Sequence, residues 1–207
     1  MAKKKNRVIV ITAILFFLCL ALAACGLLLY RRKSGNGVKL ESEKNFPVPE
    51  LSFYLQRDKE WEEDRLGDSR FTMGSSGCLV TCIASLLSAC GEEITPGELN
   101  RRFTEHGVYN ESGDIIWEKI TAVYPDLEMK IPRTVNAEAI EEALEAHQYP
   151  LIRVKNHGNG YWHWVLLIGS DERGYLCMDP LYGDMEPRPL HDHGDTVYSY
   201  RLLWFSH

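Results

Sequence analysis

The period of the hydrophobic pattern changes twice along this chain. From Val8 to Tyr30, VIVITAILFFLCLALAACGLLLY is uncharged over 23 positions. At ~1.5 Å per helical residue such a run spans the roughly 30 Å hydrocarbon core of a bilayer. It also exceeds the ~7–15 apolar residues of a secretory signal. A single transmembrane signal-anchor is therefore expected over 8–30, within a basic first segment of residues 1–33. Residues 34–50, SGNGVKLESEKNFPVPE, are polar and contain glycine and two prolines, the composition of a short tether. The pattern of a folded domain occupies residues 51–207.

The first half of that domain reads as helical. In CLVTCIASLLSACG the positions Leu79, Ile83, Leu86, Leu87 and Cys90 fall near helical spacing, and Gly91 supplies a stop. Thr95 to Glu98, TPGE, is a capping box with proline at the first helical position. It predicts a helix running to about His106 and ending at Gly107. Asp114 is placed to cap IIWEKITAVY and Asn136 to cap AEAIEEALEAH, with Pro125 and Pro150 closing them. Beyond Pro150 the runs LIRVK, HWVLLIG, YLCMD and TVYSYRLLWF are short, β-branched and aromatic, and are separated by turn residues. Helices first and strands second predict an α+β fold with an antiparallel sheet.

Charge sharpens the division. Residues 1–33 hold seven basic groups and no acidic one, which leaves 16 basic against 29 acidic groups, a net of −13, in residues 34–207. A domain of that sign repels phosphate backbones and has no basic stripe, so nucleic acid is excluded as a partner. Lys3, Lys4, Lys5 and Arg7 precede the apolar run, and Arg31, Arg32 and Lys33 follow it. The near balance gives only a small preference for a cytoplasmic N-terminus. LAAC, ending at Cys25, offers a second reading as a lipobox, although the apolar GLLLY beyond it favours an uncleaved anchor. Either way the domain is expected outside the cell, on the membrane.

Four cysteines, Cys78, Cys82, Cys90 and Cys177, fall in the domain, three of them on one predicted helix. Cys78 and Cys82 lie one turn apart, which suits a disulfide poorly, while Cys177 is open to pairing with any of the three. Cys82 and Cys90 read as small core residues on the apolar face. Cys78 differs because it stands where the loop GSSG meets the helix. The partial positive charge of a helix N-terminus favours a thiolate there. Gly74 and Gly77 would let a substrate backbone approach closely, and the loop amides could face an oxyanion.

A nucleophilic cysteine needs a base and the base an orienting partner. YWHWVLLIGSDERGYLCMDP reads as a hairpin about SDERG, which brings His163 opposite Asp179 within one residue. Cys78, His163 and Asp179 then form a thiol-hydrolase set. Trp162, Trp164, Trp117 and Tyr161 could line a substrate cleft, although core packing is the commoner use of such residues. HDH at His191–His193 reads as a solvated loop rather than a metal site. The chemistry calls for no metal and no cofactor. The alternatives left open are a non-catalytic domain binding peptide or wall polymer, a transamidase on the same triad, and a redox or metal-binding domain built on the four thiols.

The segments LQRDKEW, SSGCLVTCIASLL, ITPGELN, GDIIWEKI, PLIRVK, HWVLLIG and YLCMDP, in this order, resemble the C-thirty-nine-like cysteine peptidases, papain-like relatives of double-glycine leader peptidases. The resemblance covers nearly the whole domain. It implies a papain-like fold and a peptide or protein substrate. It further implies that Cys78 is the nucleophile, His163 the general base and Asp179 its orienter, with Gln56 donating to the oxyanion. The residue pattern itself places Gly77, Trp162 and Trp164 in the cleft. Cys82 departs from the pattern, standing where relatives carry serine or threonine. Leader-processing members carry a transporter domain that this sequence does not show, so a leader peptide is not the expected substrate.

Overall fold

The computed structural model describes residues 16–20, 26 and 37–205. The chain divides into two units, Met1–Asn36 and Gly37–His207. In the first, 16–20 are helical, and most of the anchor expected at 8–30, with the alternative lipid site at Cys25, lies outside the described residues. Among the described residues no helix is long and apolar enough to cross a membrane.

In the second unit five helices precede or punctuate an antiparallel sheet. They are α1 (Met73–Ser76), α2 (Cys78–Ala89), α3 (Pro96–Glu105), α4 (Ile120–Val123) and α5 (Ala137–Glu145). The sequence rules act locally as expected at two of them. Thr95 Oγ1 accepts from Glu98 N while the Glu98 carboxylate accepts from Thr95 N, and Pro96 opens α3. Asn136 accepts from Ala139 N to open α5. IIWEKITAVY yields less helix than its pattern predicts, a 3-10 turn at Trp117–Lys119 followed by α4. Asp114 does not cap it, because the preceding residue is Ile116 in extended conformation.

The strands are β1 (Val38–Lys39), β2 (Leu127–Lys130), β3 (Leu151–Lys155), β4 (Trp162–Asp171), β5 (Gly174–Met178), β6 (Arg188–Pro189), β7 (Thr196–Val197) and β8 (Ser199–Phe205). Six form one sheet in the order β2-β8-β3-β4-β5-β6, every neighbouring pair antiparallel. The α+β architecture with an antiparallel sheet is thus what the pattern predicts. β2 is an addition, since LEMK is too short and too charged to stand out as a strand.

The helix α2 supplies the link between layers. Its residues from Val80 to Ser88 are all buried, and it packs chiefly on β4, then on α3 and β3. Ser85 Oγ reaches Met178 Sδ at 4.0 Å, on the sheet face that Met178 shares with Leu166 and Leu151, all three fully buried.

Residues 37–50, expected as a free tether, are laid against this domain instead. β1 pairs with β7, and Leu40 N donates to Asp195 O at 2.8 Å. Phe46 forms an antiparallel bridge with Ser170, and Leu40 and Phe46 both enter the core. Polarity of the segment conceals these two apolar anchors.

Candidate active site

Cys78 begins α2, but what precedes it is a helical turn rather than the open loop expected. Thr72 and Ser75 form a capping box over α1, with Ser75 Oγ accepting from Thr72 N at 2.9 Å. Gly77 joins α1 to α2, its N–H donating to Met73 O at 2.7 Å. A Cβ on Gly77 would lie 2.6 Å from that same oxygen, and one on Gly74 would lie 2.9 Å from Glu62 O. Both glycines are therefore required by contacts within the chain, not by an approaching substrate. Gly77 is buried and does not line the cleft, which corrects its placement there. The side chain of Cys78, half-buried, does line it.

His163 and Asp179 come together from β4 and from the end of β5. The ladder sets Leu166 opposite Met178, so Val165 faces Asp179 and His163 lies two residues further along, not directly opposite. A β-bulge between Leu167 and Gly169 shifts the register that counting back from the turn would give. Diagonal neighbours remain within reach of long side chains. His163 Nε2–H donates to Asp179 Oδ1 at 2.7 Å. The remaining ring nitrogen is then the one left for Cys78, whose thiol helps raise the proton affinity of His163. His163 is 1% exposed and Asp179 5%.

The carboxylate of Asp179 has two further donors. Leu181 N donates to Oδ1 at 2.9 Å, closing a turn through Pro180. His193 Nε2–H donates to Oδ2 at 3.0 Å. This histidine belongs to the HDH stretch read as a solvated loop, and the structure buries it completely. A 3-10 turn, Leu190–His193, held by the buried Leu190 and by Gly194 at φ 73°, swings the ring inward, 5.8 Å from that of His163. Its Nδ1 is buried and makes no hydrogen bond. His193 is the site residue that sequence reasoning missed.

Burial acts against both members of the His163–Asp179 pair, and the pairing prevails. It disfavours the imidazolium of His163, yet the hydrogen bond to Asp179 and the Cys78 thiol push the group up to about 9. Burial likewise disfavours the carboxylate of Asp179, but both histidines and the Leu181 amide hold it well below the usual carboxylate range. The arrangement favours an imidazolium held between a carboxylate and a sulfur.

Gln56 is buried. Its N–H donates to Pro180 O at 2.8 Å, next to Asp179, and its Nε2 donates to Gly74 O at 2.9 Å. It lines the same cleft as Cys78, His163, Trp162 and Trp164, a space of about 690 Å³. Trp162 is exposed there, and Trp164 packs against Trp117 with ring centroids 6.0 Å apart.

The thiols of α2 do not converge. Cys82 is fully buried and donates from Sγ to Trp164 O at 3.4 Å. Cys90, expected in the core, is exposed at the C-terminal end, roughly 18 Å from Cys78 at ~1.5 Å per residue. Cys177 is buried in β5, and no disulfide joins the described cysteines. Among the described residues no group of three or more ligating side chains is placed to hold a metal ion.

No family model matches the sequence. No curated protein matches it either. The fold does have a solved counterpart, the crystal structure of a Bacillus anthracis protein provisionally assigned as a C39-like peptidase. The two superpose with a TM-score of 0.54 at 16% identity, over 79% of this chain and 99% of that one. The likeness is one of fold: a mixed architecture with helices on an antiparallel sheet.

Proposed function

We propose that this chain is a cysteine peptidase, a thiol hydrolase that cleaves an amide bond in a peptide or protein. The observation that carries the reading is His163, buried at a cleft and shared between the half-buried Cys78 and the carboxylate of Asp179. Cys78 as thiolate attacks the carbonyl carbon, and the His163 imidazolium gives its proton to the leaving amine. His163 then takes a proton from the water that opens the thioester. Asp179 keeps the ring in place and charged, and His193 and Leu181 N fix Asp179 in turn. Gln56 uses one Nε2 proton on Gly74 O, and its second, with the Cys78 N–H, serves the oxyanion. The fold likeness to a C39-like peptidase agrees with this reading.

The test uses the full chain in detergent. Iodoacetamide at pH 7 is expected to label Cys78 at least tenfold faster than the exposed Cys90, and His163→Ala to abolish that advantage. Equal rates for Cys78 and Cys90 in the wild type would overturn the proposal.

The apolar run Val8–Tyr30 extends the proposal to location: a single-pass anchor holding the domain outside the cell, where surface proteins and wall crosslinks are the available amides. Carbonate-resistant sedimentation, with digestion of the domain by external protease, checks it. Release by carbonate would refute it, and lipid incorporation lost in Cys25→Ala would replace the helix by a lipid anchor.

A further inference from the structure

The cleft has a cationic wall that the chemistry above does not use. Arg153 stands in β3 and Arg201 in β8, which are neighbours in the sheet. The ladder pairs Arg153 with Ser199 and Leu151 with Arg201, so the two arginines are diagonal neighbours on one face. Trp164, paired with Arg153 from the other side, shares that face. Both arginines line the cleft that contains Cys78.

Each guanidinium is held by indole rings rather than by acid. Arg153 Cζ lies 4.4 Å from the Trp162 ring centroid. Arg201 Cζ lies 5.3 Å from that of Trp117 and 5.8 Å from that of Trp164. Among the described residues no carboxylate forms an ion pair with either. By contrast, Arg173 and Arg188 pair with Asp171 and Asp184. The Nε atoms of Arg153 and Arg201 are both buried without a hydrogen bond. Arg201 Nη1 does donate, to the backbone oxygen of Tyr200 at 2.6 Å. Burial lowers the affinity of both for their protons, and in Arg201 repulsion from Arg153 adds to it. Asp114, a carboxylate lining the same cleft, engages Asn110 Nδ2 at 3.4 Å instead.

Two half-buried guanidiniums side by side, stacked on rings and lacking a counterion, are an unfavourable arrangement in isolation. A carboxylate relieves it, and the planar fork of arginine matches carboxylate geometry. The sign is also opposite to that of the surroundings, since the domain carries a net −13. We propose that Arg153 and Arg201 form a carboxylate-binding subsite beside Cys78, selecting peptides with an acidic side chain or a free C-terminal carboxylate near the bond presented to the nucleophile. The subsite names the substrate of the peptidase reading and rests on it for the word substrate. The binding itself does not require cleavage.

Three fluorescein-labelled octapeptides of one Gly/Ala background separate the sources. One carries central Glu-Glu with an amidated end, one Gln-Gln with an amidated end, and one Gln-Gln with a free carboxylate. Anisotropy against full-length Cys78→Ala protein measures binding without turnover. A carboxylate-bearing peptide is expected to bind at least tenfold tighter than the amidated Gln-Gln peptide, the gap narrowing as salt rises. Arg153→Gln with Arg201→Gln should erase the gap, and Arg153→Lys with Arg201→Lys should restore part of it. That restoration distinguishes lost charge from lost packing. Which of the two charged peptides gains identifies the source of the carboxylate. Equal binding of all three peptides to the parent protein, or a gap that survives both guanidinium replacements, overturns the subsite. Wild-type cleavage of the same peptides is read separately: cleavage without carboxylate preference sinks the subsite alone, and preferential binding without cleavage sinks the peptidase alone.

Discussion

Replacing Asp179 by asparagine removes the charge beside His163 while keeping the shape of the side chain. His163 stands at about 9 against an ordinary 6.5, because Asp179 and Cys78 outweigh a burial that opposes the cation. A rise of that size corresponds to about 3 kcal/mol of preference for the imidazolium, at ~1.36 kcal/mol per unit. Two partners share it. Assigning half to Asp179 gives about 1.5 kcal/mol of folded-state stability near pH 6.5. The sign follows from the direction of the shift. Stabilisation by a raised histidine is complete below its ordinary value and is lost as pH passes the folded one. Wild type and Asp179→Asn should therefore differ most below pH 7 and converge above about 9. The assay is urea unfolding of both proteins against pH, read by near-ultraviolet dichroism. Stabilities within about 0.5 kcal/mol of each other at pH 6.5 would refute the claim that Asp179 keeps His163 charged.

Three further outcomes are expected. His193→Phe removes a hydrogen bond to a buried carboxylate, worth about 1.5–3 kcal/mol. Asp179 is held below its ordinary 3.8, so the loss should be full at pH 7 and fade as pH falls through the acid range. Urea unfolding at pH 7 and pH 3 measures it, and no loss at pH 7 would contradict the role. Thr95→Ala breaks the α3 capping box at a cost of about 1 kcal/mol, and it should leave Cys78 labelling unchanged; altered labelling would mean that α3 couples to the site. Cys90 should label at once, whereas Cys82 and Cys177, buried and with thiols pushed well above their ordinary range, should label only on unfolding. Early labelling of Cys82 would place it in the cleft.

The sequence reads best where one local rule decides the outcome. Pro150 ends a helical pattern, and LIRVK becomes β3 residue for residue. TPGE opens α3 because two side chains and two amides five residues or fewer apart suffice. The same locality explains Cys78 at the start of α2. The failures are non-local. Gly74 and Gly77 look like loop residues, and only their distances to Glu62 and Met73 show that they tighten a helical turn. The bulge after Leu167 moves His163 and Asp179 to a diagonal, a shift invisible to counting from a turn. His193 stands in a run of polar residues and is buried only because Leu190 anchors the turn and Asp179 offers an acceptor. Arg153, flanked by Ile152 and Val154, is legible as a residue on the other strand face, but not as the neighbour of Arg201.

The strip from Gly37 to Glu50 has a practical consequence for anyone cutting this protein. Phe46 and Ser170 exchange backbone hydrogen bonds at 3.1 and 3.0 Å, and Ser170 Oγ donates to Lys44 O at 2.6 Å. Gly169 permits the crossing, since a Cβ there would lie 2.7 Å from Phe46 O. A truncation at residue 51, where composition suggests the boundary, strips partners from backbone groups of a central strand at roughly 1–3 kcal/mol for each one left buried. It also uncovers the patches that Leu40 and Phe46 now seal. A truncation at Gly37 keeps both, and the melting temperatures of the two fragments should differ by several degrees. What composition marks as leash behaves as a strap, and a soluble fragment made without it is expected to aggregate along the edge it once closed.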